Sequence, residues 1–238
     1  MRVLLIHTAG GEGSVALADT EAASAIVATE VLPGRSSSEL LVPAVRRLME
    51  ARGWRLGELA AVVVVHGPGS FTGVRVGLSA AKGFCEASGV PLIGVSRLAL
   101  LASCGDGSAG SVHAVLDAGR GEFYYGEYVG WRCVREMLMR REDLPVAAAG
   151  GVIVACEAKV AEALAGGLAG GLAGGLAGGL TGVELRMVEE PLAGDALPFA
   201  LERIAAQDFD DAATLDANYL RRSDAEIFAK PSVGQAAR

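Results

Sequence analysis

Apolar positions along this chain fall into runs whose period changes, and the period assigns the elements. "RVLLIH" (Arg2–His7) is an almost unbroken apolar run bounded by Gly10, Gly11 and Gly13, the pattern of a buried strand. Two further short strands follow in "SVALAD" and "SAIVATEV". In "SSSELLVPAVRRLMEARGW" the spacing switches. Leu40, Leu41, Ala44, Val45 and Leu48 share one face of a helix that starts at a serine cap near Ser37 or Ser38. Pro43 falls in the first turns, where a missing amide hydrogen is best tolerated. "LAAVVVVHG" is fully apolar and reads as a central strand covered on both faces. "FTGVRVGLSAAKGFCEASG" is the next helix, closed by Gly89 and followed by Pro91; "PLIGVS" is a strand and "SRLALLASC" begins another helix.

The order up to Cys104 is therefore β-β-β-α-β-α-β-α. Three meandering strands followed by helix–strand alternation is the order of half an actin-like or sugar-kinase-like domain, not of a plain dinucleotide-binding one. The second half starts the same way: "SVHAVLDAGRGEFYYGEYV" gives a strand ending at Asp117, a turn at Gly119 and Gly121, and a strand carrying Tyr124, Tyr125 and Tyr128. "RCVREMLM" supplies a third strand, "GGVIVAC" a fourth and "EAKVAEAL" a helix. "LLIHTAG" and "HAVLDAG" echo each other as strand then turn. The expectation is an α/β actin-like (ASKHA) fold of two duplicated subdomains with mixed sheets, residues 1–107 and 108–238, breaking near Gly105–Gly110.

From Ala163 to Val183 the chain carries no charge, and "AGGL" repeats four times over Ala165–Leu180. The length permits a membrane span, but the glycine density and the lack of flanking Trp or Tyr argue against one. Eight glycines in a helix cost roughly 0.8–1 kcal/mol each against alanine. A low-complexity expansion of a loop is expected, with a packed glycine-rich helix as the alternative.

Charge and cysteine usage narrow the function classes. A net charge of −7 makes the chain a poor nucleic-acid binder on its own. Basic residues cluster only locally, at Arg46, Arg47, Arg52 and Arg55, at Arg140 and Arg141, and at Arg221 and Arg222. Cys85, Cys104, Cys133 and Cys156 form no Cys-x-x-Cys pair, and "MRVLLIHTAG" reads as a strand rather than an export signal. Reduced thiols and a cytoplasmic location follow as expectations. His7, His66 and His113 lie far apart and match no helical zinc motif, so no metal ligand is assigned.

The densest candidate chemistry is "VVVVHGPGSFTGVRVGLSAAKGF" (Val62–Phe84). Gly67-Pro68-Gly69 makes a tight turn after a strand, and Ser70 and Thr72 can cap the next helix or donate to an anion. Gly67, Gly69, Ser70, Thr72 and Gly73 are the candidate phosphate contacts. The spacing is neither the dinucleotide fingerprint nor a P-loop, and Pro68 excludes a Gly-x-Ser-x-Gly nucleophile elbow. Gly73, Gly77, Ala80, Ala81 and Gly83 make a helix surface of little bulk that lets another helix approach closely. Phosphate contact and close packing or a partner surface both remain open on residue chemistry.

"HGPGSFTGVRVGLSAAKGF" resembles the signature of the TsaB family, the non-catalytic partner proteins of tRNA threonylcarbamoyladenosine synthesis. "RVLLIHTAGGEGSVAL", "GRSSSELLVPAVRRLM", "VLDAGRGEFYYGEY" and "NYLRRSDAE" (Asn218–Glu226) are similar to that family's opening strands, first-helix entry, second-subdomain opening and C-terminal segment, in that order. The AGGL run is no part of the family pattern.

The resemblance implies an actin-like scaffold with no catalytic residues and no cofactor of its own. It implies binding to the paralogue TsaD, which transfers threonylcarbamoyl to the adenosine beside the anticodon, with a TsaE ATPase joining the complex. It further implies homodimerisation when alone, tRNA contact only through the complex, and no membrane. Docking would use the helices at about Glu39–Met49 and Thr72–Cys85, through Leu41, Val45, Leu48, Val74, Gly77, Leu78 and Ala81. Two departures bear on chemistry. The family usually has Asp after the first strand, beside the metal and phosphates in actin-like ATPases; here His7 stands there, removing a carboxylate ligand. The histidine pair that binds metal in TsaD-like proteins has no counterpart. An autonomous ASKHA-type ATPase or kinase, using Gly67–Thr72 and Asp117, and a metallopeptidase-like protein are the alternatives.

Overall fold

A computed structural model describes residues 1–34, 36–105, 110–170 and 184–220, with side chains in the 110–170 stretch up to Leu164. Strands β1 (Arg2–His7), β2 (Gly13–Asp19) and β3 (Ile26–Leu32) form an antiparallel meander. Helix α1 (Ser37–Arg52) leads to β4 (Ala61–Val65), α2 (Phe71–Ser88) to β5 (Leu92–Val95), and α3 (Arg97–Ser103) closes the unit. β4 pairs in parallel with β1 and with β5, so the sheet order is β3-β2-β1-β4-β5.

The second half repeats this order. β6 (Ser111–Gly119), β7 (Glu122–Val129) and β8 (Arg132–Arg140) are the antiparallel meander. A short helix α4 (Leu144–Ala147), β9 (Val152–Ala155), α5 (Ala158–Gly170) and β10 (Glu184–Met187) follow. β9 pairs in parallel with β6 and with β10, giving β8-β7-β6-β9-β10. Strand for strand this is the topology of the first sheet. The architecture is an α/β actin-like (ASKHA) fold built from two mixed five-stranded sheets.

The all-apolar reading of β1 and β4 is explained by cover on both faces. Side chains alternate across a strand. Accordingly Gly13 lies against Ser37 of α1, while its neighbour Ser14 accepts a hydrogen bond from Ala193 N at 2.8 Å on the other side. The 3-10 turn Ala193–Ala196 and helix α6 (Leu197–Ala205) thus return from the second sheet to cover the first. Helix α3 does the reverse: Leu98, Leu101 and Ala102 pack on Val112, Ala114, Leu116, Tyr128, Val152 and Val154 of the second sheet. Each half therefore contributes a helix to the other's core.

Helix α5 extends to Gly170 and takes in the first AGGL unit, which the sequence reading assigned to a loop. The preceding Ala158–Leu164 turns bury Val160 and Leu164, and a packed helix propagates at one hydrogen bond per residue into Ala- and Leu-containing sequence. The rest of the repeat, from Gly171 on, and Arg221 and Arg222 lie outside the described residues. All four cysteines are free thiols, and no helix among the described residues is long and apolar enough to cross a membrane.

Candidate functional site

The carboxyl ends of β1, β6 and β9 meet in a cleft between the two sheets, the place where open α/β sheets bind ligands. Here it is filled by the chain's own charges. Arg97, the first residue of α3, is only 4% exposed, and its Nη2 donates to Glu190 Oε1 at 2.7 Å and to Glu157 Oε1 at 3.3 Å. Glu190 also accepts from Gly11 N, at 3.1 and 3.2 Å to its two oxygens. Glu157 Oε2 accepts from Asp117 N at 2.6 Å, and Asp117 in turn pairs with Lys159 at 3.1 Å and receives Gly119 N. One buried guanidinium thus ties the β1–β2 turn of the first sheet to the strand ends of the second.

His7 sits at the end of β1, inside this arrangement. Its Nδ1 accepts from Ala9 N at 3.3 Å, while Nε2 is buried without a partner. Burial above all, and then the positive charge of Arg97, hold its pKa down at about 3, so the ring is neutral. No group of three or more His, Cys, Asp or Glu side chains among the described residues is arranged to hold a metal ion. His113 is paired with Tyr125 OH at 2.7 Å, and His66 Nδ1 meets Asp216 O at 3.1 Å, far along the chain from His7.

The glycine stretch is held against the end of β1. Ser70 N donates to Ala9 O at 2.9 Å, and Thr8 Oγ1 donates to Gly73 O at 2.7 Å. A Cβ on Gly69 would fall 2.1 Å from Ala9 O, one on Gly73 2.0 Å from Thr8 O, and one on Gly77 2.3 Å from Thr8 Oγ1. These glycines permit backbone contact between α2 and the β1–β2 turn. Ser70 is the N-cap, its Oγ accepting from Gly73 N at 3.2 Å. Ser70, Thr72 and Gly73 line a cavity with Thr8 and Gly10, while Gly67 packs on Val74 and the Asn218 backbone.

The helix residues expected to dock a partner are placed differently. Leu41, Val45, Val74, Gly77, Leu78 and Ala81 are buried in the chain's own core, and Leu48 is half-buried beside them. The small, apolar stripe of α2 faces Ile6 and Thr8 at Gly77, because close approach suits a sheet as well as a helix. The outer sides of α1 and α2 present other residues. Val42 and Phe71 are more than half exposed, and Val76, Ala80 and Phe84 are half-buried. Arg75 stacks over Phe71 at 3.4 Å, and Tyr219 adds its ring 6.1 Å from Phe71.

Sequence reasoning missed Arg97, Glu157, Glu190 and a second hub at Glu136. Glu136 accepts from Ser96 Oγ at 2.5 Å, from Tyr128 OH, and from Asn218 Nδ2 at 2.6 Å. A lone arginine in the otherwise apolar "SRLALLAS" is the one local signal that was there to be used.

Duplicated sheets around a strand-end cleft define the class: an α/β protein of the actin-like fold. Relatives narrow it. The family model for TsaD, tRNA N6-adenosine threonylcarbamoyltransferase, matches residues 29–144. The tRNA threonylcarbamoyladenosine biosynthesis protein TsaB of Escherichia coli is 37% identical over 130 residues, 54% of this chain and 55% of that protein. TsaB of Bacillus subtilis is 36% identical over 94 residues, 40% of this chain and 41% of that protein. The matched region thus spans about half the length, or less, of these curated relatives. A crystal structure from Pseudomonas aeruginosa, of an uncharacterized protein with similarity to peptidase YeaZ, superposes with a TM-score of 0.71 at 26% identity, covering 92% of this chain and 99% of that one. The chain belongs to the TsaB family.

Proposed function

We propose that this chain acts in tRNA threonylcarbamoyladenosine biosynthesis as a non-catalytic subunit that docks a TsaD-type paralogue and, through it, a TsaE-type ATPase. The observation that carries this reading is the Glu190 carboxylate on Gly11 N, backed by the buried Arg97. Turn amides at this end of β1 would meet the phosphates of a nucleotide in an actin-like ATPase. In this chain they are engaged by its own anion, and the neutral His7 stands where a carboxylate would hold the metal. That arrangement favours a scaffold over an autonomous ATPase.

The docking surface is the outer side of α1 and α2, with Phe71, Arg75 and Tyr219 at its centre and Val42 beside them. Exposed aromatic and arginine side chains in contact are the residue types that dominate binding energy at protein interfaces. The same face pairs two copies of the chain when the paralogue is absent. tRNA is reached through the complex.

Reconstitution tests the role. Threonylcarbamoyl transfer by TsaD and TsaE should require this protein, and full transfer in its absence overturns the reading. Phe71→Ser combined with Val42→Glu should abolish the complex on size exclusion while leaving the thermal midpoint unchanged. Undiminished complex formation by that variant would reject the surface.

A further inference from the structure

We infer that the cavity between the amino ends of α1 and α2 is a binding site for a small phosphate ester. Its volume is about 510 Å³, within the range of small-molecule sites, and Thr8, Gly10, Ser37, Ser38, Thr72 and Phe71 are among its lining residues. Two long helices, of 16 and 18 residues, begin at its wall. The first-turn amides of a helix have no acceptor within it, and the dipole adds partial positive charge there. Ser36 at the α1 cap makes no side-chain cap bond, and the Ser70 cap of α2 reaches only Gly73 N. Amides at both helix starts are therefore left for a ligand.

Ser37 is the independent observation. It is 8% exposed, and its hydroxyl has no hydrogen-bond partner among the described residues. On one side that oxygen faces Gly13, where a Cβ would lie only 2.6 Å away, and the next neighbours there are Leu32 carbons. None of these is polar, so the cavity it lines is its outlet. A buried hydroxyl left unpaired costs stability, and an anion's oxygen accepting from it removes that cost. Ser38 and Thr72 add further hydroxyls, and no carboxylate lines the cavity. Phe71 and Val76 line it as well, which suits a phosphate carrying a small organic group better than a bare ion.

Titration of the full chain with inorganic phosphate and with glycerol 3-phosphate, at constant ionic strength against chloride, tests the site by amide NMR. Saturable shifts are expected at Ser37, Ser38 and Thr72, with the ester binding more tightly than the ion. Ser37→Ala should weaken binding about tenfold, the loss of one hydrogen bond to a charged group. It should leave the unliganded thermal midpoint unchanged or higher, because its hydroxyl has no partner to lose. Thr72→Val, at an exposed position, is the second variant and should weaken binding likewise. Absence of saturable shifts, shifts centred on Gly11 and Asp117 in the cleft, or equal affinity in both variants overturns the inference.

Discussion

Arg97 and Glu190 meet at 2.7 Å across the cleft, joining the start of α3 to the segment that follows β10. Arg97 is nearly buried, whereas Glu190 is 31% exposed, and Glu157 stays within 3.3 Å. Removing one partner of such a pair leaves charge uncompensated, while replacing both by apolar groups is far milder. Glu190→Ala is expected to cost about 1–3 kcal/mol, less than a fully buried pair because Glu157 and water still reach the guanidinium. Arg97→Met should be milder in the Glu190→Gln background than in the wild type. A urea double-mutant cycle reads the coupling, about 1–3 kcal/mol, and additive costs would show that the pair is not a unit.

The glycines of α2 make a sharper prediction, because two of them meet different obstacles. At Gly73 the obstacle is the Thr8 carbonyl, fixed in the backbone; at Gly77 it is the Thr8 hydroxyl, which a substitution can remove. Gly→Ala in a helix otherwise gains about 1 kcal/mol. Gly77→Ala should destabilise the wild type and be rescued by Thr8→Ala. Gly73→Ala should destabilise by more than 2 kcal/mol, roughly the scale of overpacking, with no rescue by Thr8→Ala. Thermal midpoints of the four variants decide it, and rescue of Gly73→Ala would reject the backbone contact.

Much of the fold was legible because periodicity is local. The switch from the apolar run of β4 to the spacing of α2 located both elements and the turn between them. What periodicity does not give is which neighbour a face meets. The stripe at Gly73, Gly77 and Ala81 was read as open to a helix, and it packs on Thr8 and Ile6 instead. The cleft network was illegible for a related reason. Arg97, Glu157 and Glu190 come from three separate segments, and a single charge has no pattern of its own. The four residues of β10 and the return of Ala193–Ala205 to the first sheet likewise leave no local signature.

The C-terminal segment is fastened by few groups, and their removal has a local readout. Asn218 Nδ2 donates to Glu136 Oε2 at 2.6 Å, and Asn218 N to His66 O at 2.8 Å. Asp210 accepts from Gly94 N at 2.7 Å and pairs with Arg203 at 2.8 Å. Asn218→Ala leaves one oxygen of a half-buried carboxylate without its donor, at about 1–3 kcal/mol. Hydrogen exchange should quicken at Asn218 and Leu215 far more than at β1 or β4. Uniform acceleration across the sheet would show instead that the segment unfolds only with the whole protein.

Acid should destabilise this protein through His7. Its folded pKa is held at about 3, against an ordinary 6.5 in the unfolded chain. Above pH 6.5 the ring is neutral in both states and contributes no pH dependence. Between 6.5 and about 3 the unfolded chain binds a proton that the folded chain refuses, so stability falls as pH falls through that window. The limiting slope is about 1.4 kcal/mol per pH unit. His66 and His113 are also lowered, chiefly by burial, and act in the same direction. The difference between wild type and His7→Asn isolates the one residue, since the Asn carbonyl can take the place of Nδ1 as acceptor for Ala9 N. Urea midpoints measured from pH 7.5 to 4.5 should fall less steeply for His7→Asn, with the two curves diverging below pH 6.5. Parallel curves would mean that His7 is reached by protons, and by water, in the folded state.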